Sequence, residues 1–269
     1  MMYHINPKTG NPGICKASEG QCPFSSKEEH FQSKEEARAF YEESKKSSIT
    51  LIKYPRTPHL PFSEGATNDD KYLSKEALEH LKSLPELVVT EKMDGGNLTF
   101  YKNHFHGRSL DSGTHSWDSF SRSVWAKMRH EIPEGWRISG ESLYAKRSVG
   151  YENLPGPYLV FGIWNQDNVL LSWKETEEWC DLLNLPHVPV LYKGGDFNSA
   201  IKVWKESLNE KVSEGFVLRN SDSFKYSDFD MNIAKYVRKN HVQTSADWRH
   251  RDDFEVNTFS KIESEQNEV

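Results

Sequence analysis

Residues 90–101 read TEKMDGGNLTFY. Lys92 stands one step after Glu91 and two before Asp94, with Gly95 and Gly96 behind it. Strand-forming residues flank the group, LVVTEK (87–92) before it and NLTFY after it. By default such a lysine is a solvated charge on a hairpin. The alternative is a nucleophile. A lysine attacks an electrophile only as the neutral amine, and nearby positive charge, a metal ion or desolvation lowers its pKa. The two glycines would let the backbone approach a bulky ligand, and Asp94 could orient the amine or stay solvated. K-x-D-G alone is weak evidence, so the rest of the chain has to decide.

Four further segments follow in order. ISGESL places Glu141 just after a glycine at a strand end, and YLVFGIW holds Phe161 within an apolar strand. SEGFVLR places Glu214 before a glycine and another apolar strand, and AKYVRK places Lys235 in the last strand. A nucleotide needs this set. Carboxylates bind ribose hydroxyls and Mg²⁺. An aromatic stacks on the base, or is simply core. A second lysine neutralises an attacked phosphate, or merely guards a sheet edge.

The order EKMDGG, SGES, YLVFGIW, SEGFVLR, AKYVRK resembles the covalent nucleotidyltransferase superfamily of polynucleotide ligases and mRNA-capping guanylyltransferases. The resemblance covers about residues 50–250. It is nearest to the ATP-dependent RNA ligases. Asn97 stands five residues after the nucleophile, where DNA ligases and capping enzymes usually carry arginine. KYPRTPHL (53–60) and RKNHVQTSADWRHR (238–251) also resemble RNA ligase-type proteins. The resemblance implies an α+β nucleotidyltransferase (adenylation) domain of antiparallel sheets flanked by helices. No C-terminal OB-fold is expected, because too few residues follow the last motif.

The resemblance also implies an activity: joining 3′-OH and 5′-phosphate RNA ends through a lysyl-AMP intermediate, in RNA repair. The cofactors are ATP and Mg²⁺ or Mn²⁺. Lys92 is the nucleophile and Glu91 lies at the adenine pocket. Asn97 and Arg108 lie near the phosphates and RNA ends. Glu141 contacts the ribose or a metal-bound water, Phe161 stacks on adenine, Glu214 binds a catalytic metal, and Lys235 contacts the α-phosphate. The family's last motif often carries lysines two apart. Here the second position is Val237, followed by Arg238 and Lys239, either of which could take that role. The rival readings are a DNA ligase, a guanylyltransferase, or a non-catalytic nucleic-acid-binding protein with this fold.

The bulk numbers agree with a polar globular protein. Of 269 residues, 36% are hydrophobic and 28% charged, with a formal net charge of -6. An RNA partner therefore needs a local basic patch rather than a positive overall field. Lys235, Arg238, Lys239, His241, Arg249, His250 and Arg251, interleaved with Tyr236 and Trp248, form one, unless they are only a solvated face. No apolar run is long enough to span a bilayer, and the start has no signal core. Three cysteines make no even disulfide framework, so a reducing, cytoplasmic protein is expected; a monomer is expected as well.

Residues 1–47 read as an appendage: a turn-rich stretch with a possible hairpin, then a helix to about residue 46, opened by a Ser33/Glu36 capping-box pattern. Cys15 and Cys22 with His4 and His30 could hold zinc. The C-x₆-C spacing departs from the usual zinc modules, and two reduced thiols are the alternative. Residues 48–252 form the main domain, and 253–269 read as a polar, disordered tail.

Overall fold

The structure, a computed structural model, describes residues 2–6, 11–16, 30–46, 50–110, 118–207, 213–239 and 255–260. The chain divides into two compact units, Met1–Ile52 and Lys53–Val269. In the first, β1 (Tyr3–Ile5) and β2 (Pro12–Ile14) form the expected hairpin, and α1 spans Lys34–Lys46. Ser33 Oγ accepts from Glu36 N at 3.0 Å, but the Glu36 carboxylate caps Gln32 N instead of returning to Ser33.

The second unit holds two antiparallel sheets, in agreement with the α+β expectation. Its elements are α2 (Lys75–Ser83), β3 (Leu87–Lys92), β4 (Gly96–Phe100), β5 (Phe105–Gly107) and α3 (Ser119–Met128). β6 (Arg137–Ser142), β7 (Tyr158–Trp164), β8 (Val169–Leu170), α4 (Trp173–Leu182) and β9 (Val190–Gly194) follow. The last are α5 (Phe197–Ser207), β10 (Gly215–Asn220), β11 (Phe224–Lys225), α6 (Phe229–Asn232) and β12 (Ile233–Val237). One sheet has the order β12-β10-β3-β9, the other β11-β8-β7-β6-β4-β5. Among the described residues no strand-built domain follows β12.

β3 alternates between two cores. Leu87 and Val89 join a cluster with Leu81 of α2 and Ala200 and Trp204 of α5. Val88 faces a second cluster with Met93, Leu143, Leu159 and Trp173. A strand buried on both faces reads as a continuous apolar run, as LVV does. The six-stranded sheet packs Phe100, Ile138 and Ile163 against Met128 of α3 and Cys180 of α4. α4 opens on a full capping box between Ser172 and Glu175.

Along Phe120, Val124, Met128 and Ile132 the packing is only partly inward: Met128 and Ile132 are buried, while Phe120 is exposed and stacks on Tyr144 at 4.0 Å between ring centroids. Two expectations are modified. β12 ends the hydrogen-bonded order, yet its edge is covered, since Lys235 N donates to Pro58 O and Leu60 N to Lys235 O. Within the stretch read as a disordered tail, residues 255–260 lie along 143–154. Asn257 Nδ2 donates to Leu143 O at 2.7 Å, and Ser260 N to Leu154 O at 2.8 Å.

Candidate active site

The stretch TEKMDGGNLTFY is not a hairpin. β3 lies in the four-stranded sheet and β4 in the six-stranded one, so the turn at residues 93–95 carries the chain from one sheet to the other. Lys92 is the last residue of β3, and the two sheets bring their own charged residues to it. In the first sheet Lys92 pairs with Gly215 of β10, directly after Glu214. In the second, Asn97 of β4 pairs with Glu141 of β6.

Gly95 is required by this crossing. A Cβ there would sit 2.4 Å from Ser142 O and 2.7 Å from Glu141 Cγ. Gly95 N donates to Glu141 Oε1 at 3.1 Å. The glycine therefore admits the chain's own β6. Asp94 has a structural task as well: its Oδ2 accepts from Ser148 N and Val149 N, each at 2.9 Å, and its own N–H donates to Tyr151 Oη at 2.8 Å. Gly215 is equally constrained, with a Cβ placed 2.0 Å from Tyr236 O.

Lys92 Nζ donates to Glu214 Oε2 at 2.6 Å. Burial works to lower the Lys92 pKa. The charges of Glu214, Glu141 and Asp94, with the Glu214 hydrogen bond, more than reverse that and raise it. Lys92 thus rests as an ammonium held by carboxylates. The depressed lysine is the other one. Burial and then repulsion from Lys92 bring Lys235 down to about 8, with Arg108 adding to the fall and Asp70 and Glu214 opposing it. Burial pushes Glu141 up to about 7, against the pull of Lys92 and Arg147. Glu91 is raised by burial, tempered by a hydrogen bond from Ser213. Lys92, Lys235, Glu141 and Glu214 thus lie in one electrostatic neighbourhood, and Arg108 borders it through Lys235.

Asn97 Oδ1 is buried without a hydrogen-bond partner among the described residues. Phe161 is the one incompletely buried residue of β7, and its ring meets Tyr54 edge-on at 4.9 Å. Arg108, exposed after β5, lines an open pocket with Lys53, Tyr54, Arg56 and Tyr226. In the last motif Val237 is core, and Arg238 Nε donates to Ser213 O at 2.6 Å, bracing the residue before Glu214. His241, Trp248, Arg249, His250 and Arg251 lie outside the described residues.

Sequence reasoning passed over Tyr54 and the pair His59/Asp70. His59 is buried, its Nδ1 is 2.7 Å from Ser63 Oγ and its Nε2 is 3.6 Å from Asp70. Burial and then the Lys235 charge bring His59 down to about 4, against the pull of Asp70. The signal was present in KYPRTPHL, where two prolines hold aromatic and basic residues in an extended run beside Lys235.

Residues 85–237 match the family model described as RNA ligase. No curated protein matches the chain. Among solved structures, an RNA ligase of Naegleria gruberi with PPi is 18% identical, with a TM-score of 0.47 over 70% of this chain and 61% of its own. An archaeal ATP-dependent RNA ligase is likewise 18% identical, with a TM-score of 0.48 over 70% of this chain and 48% of its own. A Naegleria gruberi RNA ligase variant with ATP and Mn is 19% identical, with a TM-score of 0.46 over 73% of this chain and 62% of its own. The matched region therefore spans less than two thirds of each.

Proposed function

The chain belongs to the RNA ligase family, and on that premise we propose that it is an ATP-dependent ligase joining 3′-OH and 5′-phosphate RNA ends through lysyl-AMP. The carrying observation is the convergence on Lys92 of Glu214 and Glu141 from two different sheets, with Lys235 alongside.

In the first step Lys92 Nζ forms a bond to the α-phosphorus of ATP as the bond to pyrophosphate breaks. The amine must first lose the proton that its 2.6 Å bond to Glu214 holds in place at rest. Lys235 supplies positive charge as negative charge develops on the phosphate oxygens. Arg108 and Arg56 line the pocket where the triphosphate tail or an RNA end would lie. Phe161 offers its open face to adenine, with Tyr54 fixing the ring edge-on. Glu91, the residue before Lys92 on β3, would lie toward the adenine. AMP then passes to the RNA 5′-phosphate, and attack by the 3′-hydroxyl releases it.

The donor set fits a hard divalent cation: two carboxylates, with the partnerless Asn97 Oδ1 on the strand beside Glu141. Glu141 and Glu214 would hold Mg²⁺ or Mn²⁺. The ion would add positive charge at the attacked phosphate and weaken the carboxylates' hold on the Lys92 proton. No helix among the described residues is long and apolar enough to cross a membrane.

The test is sealing of 5′-phosphate RNA, as a duplex nick and as a single-stranded break, with DNA and GTP as competitors. Joined RNA with ATP, lost in Lys92→Ala, supports the proposal. Joining of DNA alone moves the reading to a DNA ligase. A GMP adduct without joining moves it to a guanylyltransferase. Absence of any adduct or joining leaves a non-catalytic nucleic-acid binder.

A further inference from the structure

The first unit holds a cluster that the proposed chemistry does not use. His4 sits in the middle of β1 and pairs with Gly13 of β2. Cys15 follows β2, and its N–H donates to Met2 O at 2.8 Å. On the other side of β1, Tyr3 and Phe31 exchange both backbone bonds, which sets His30 opposite His4. Opposed residues of antiparallel strands share a face, and so do residues two apart. Three separate segments therefore bring an imidazole, a thiol and an imidazole to one face of a small sheet.

The side chains converge. One ligand atom each from His4, Cys15 and His30 lies within 4.8 Å of the other two. Cys15 Sγ and His30 Nε2 are 3.2 Å apart, and the His4 and His30 rings meet edge to face. Gly13 contributes no side chain beside His4, and a Cβ there would lie 3.5 Å from His4 Nε2. Tetrahedral zinc with these donors needs ligand atoms about 3.3–3.7 Å apart, given the Zn–N and Zn–S bond lengths. Closing the cluster onto an ion takes side-chain movements on the order of 1 Å, with no change of register.

We infer that His4, Cys15 and His30 form a structural site for a zinc-class divalent cation in the first unit. Two imidazoles and a thiolate exclude Mg²⁺ and Ca²⁺, which take oxygen ligands, so this site is chemically distinct from the carboxylates around Lys92. A unit of this size also has reason to use a metal. Among its side chains of described burial, only Phe31 and Ala37 are buried and apolar. Domains that cannot build a sufficient core are commonly held by metals or disulfides. Cys22, grouped with these residues by sequence, lies outside the described residues.

The test uses the full-length chain, stripped of metal and titrated with Co²⁺ as a spectroscopic probe. The expected result is one tightly bound Co²⁺ with a thiolate-to-cobalt charge-transfer band and strong four-coordinate ligand-field bands, displaced by Zn²⁺ and not by Mg²⁺. Cys15→Ser, His4→Ala and His30→Ala should each weaken Co²⁺ binding at least about tenfold. Glu214→Ala should leave the band unchanged. All eight tryptophans lie beyond the first unit, so their fluorescence shows whether the second unit of each variant is folded. Absence of a thiolate band in the unsubstituted chain would overturn the inference. So would unchanged Co²⁺ affinity in any one of the three variants.

Discussion

The two lysines of the candidate site stand on strands that flank the same partner, β3 and β12 on either side of β10, and their surroundings drive them in opposite directions. Lys92 is clasped by Glu214 and overlooked by Glu141 and Asp94, so its ammonium is stabilised. Lys235 is half-buried with fewer compensating carboxylates and faces the Lys92 charge, so it is brought down to about 8. A pKa value alone would name Lys235 as the nucleophile. Placement argues otherwise, because Lys92 sits where the chain crosses between sheets and can meet ligands from both. The resting ion pair is then a guarded state. A cation held by those carboxylates would loosen their grip on the Lys92 proton.

The sharpest way to break this contrast is to remove one lysine at a time. Lys92→Ala should abolish covalent AMP transfer entirely, and Lys235→Ala should slow it while leaving a detectable adduct, both read by gel with labelled ATP. Glu214→Ala comes next. Loss of a metal-binding carboxylate should slow the first step by about 10²–10³-fold. It also removes the largest stabiliser of the Lys92 ammonium, so the residual activity should extend to lower pH than in the unsubstituted chain.

Acidity provides a third, smaller effect. Step one should rise with pH, through about 7 as Glu141 loses its proton and beyond as Lys92 does, and loss of the Lys235 charge above about 8 should flatten that rise. Lys235→Arg keeps the positive charge and should remove the flattening, seen in single-turnover rates across pH. The smallest effect belongs to the turn. Asp94→Ala leaves the Ser148 and Val149 N–H groups without their carboxylate and should cost roughly 2 kcal/mol, measured by urea unfolding.

These contrasts also mark what was legible in the sequence. β3 was expected over Leu87–Lys92 and occurs there, because an apolar run bounded by a turn signal is local information. Glu141, Glu214 and Lys235 were singled out by motif order, and the structure places all three in the electrostatic neighbourhood of Lys92. The sequence did not reveal that β3 and β4 part into different sheets, since strand pairing depends on distant residues such as Gly215 and Ser142. The task of Asp94 was hidden for the same reason, its partners lying more than fifty residues away. The sign of the Lys92 shift was equally hidden, because it depends on three carboxylates whose convergence only the fold creates. α2 went unread because its nine residues present only two buried positions, Ala77 and Leu81.

The most direct measurement is the intact mass of the full chain after incubation with ATP and Mg²⁺, with peptide mapping of any adduct. The account predicts a gain of one AMP, mapped to Lys92, absent in Lys92→Ala and retained at reduced rate in Lys235→Arg. An AMP mapped to Lys235, or no adduct from a chain shown to be free of AMP beforehand, would contradict it.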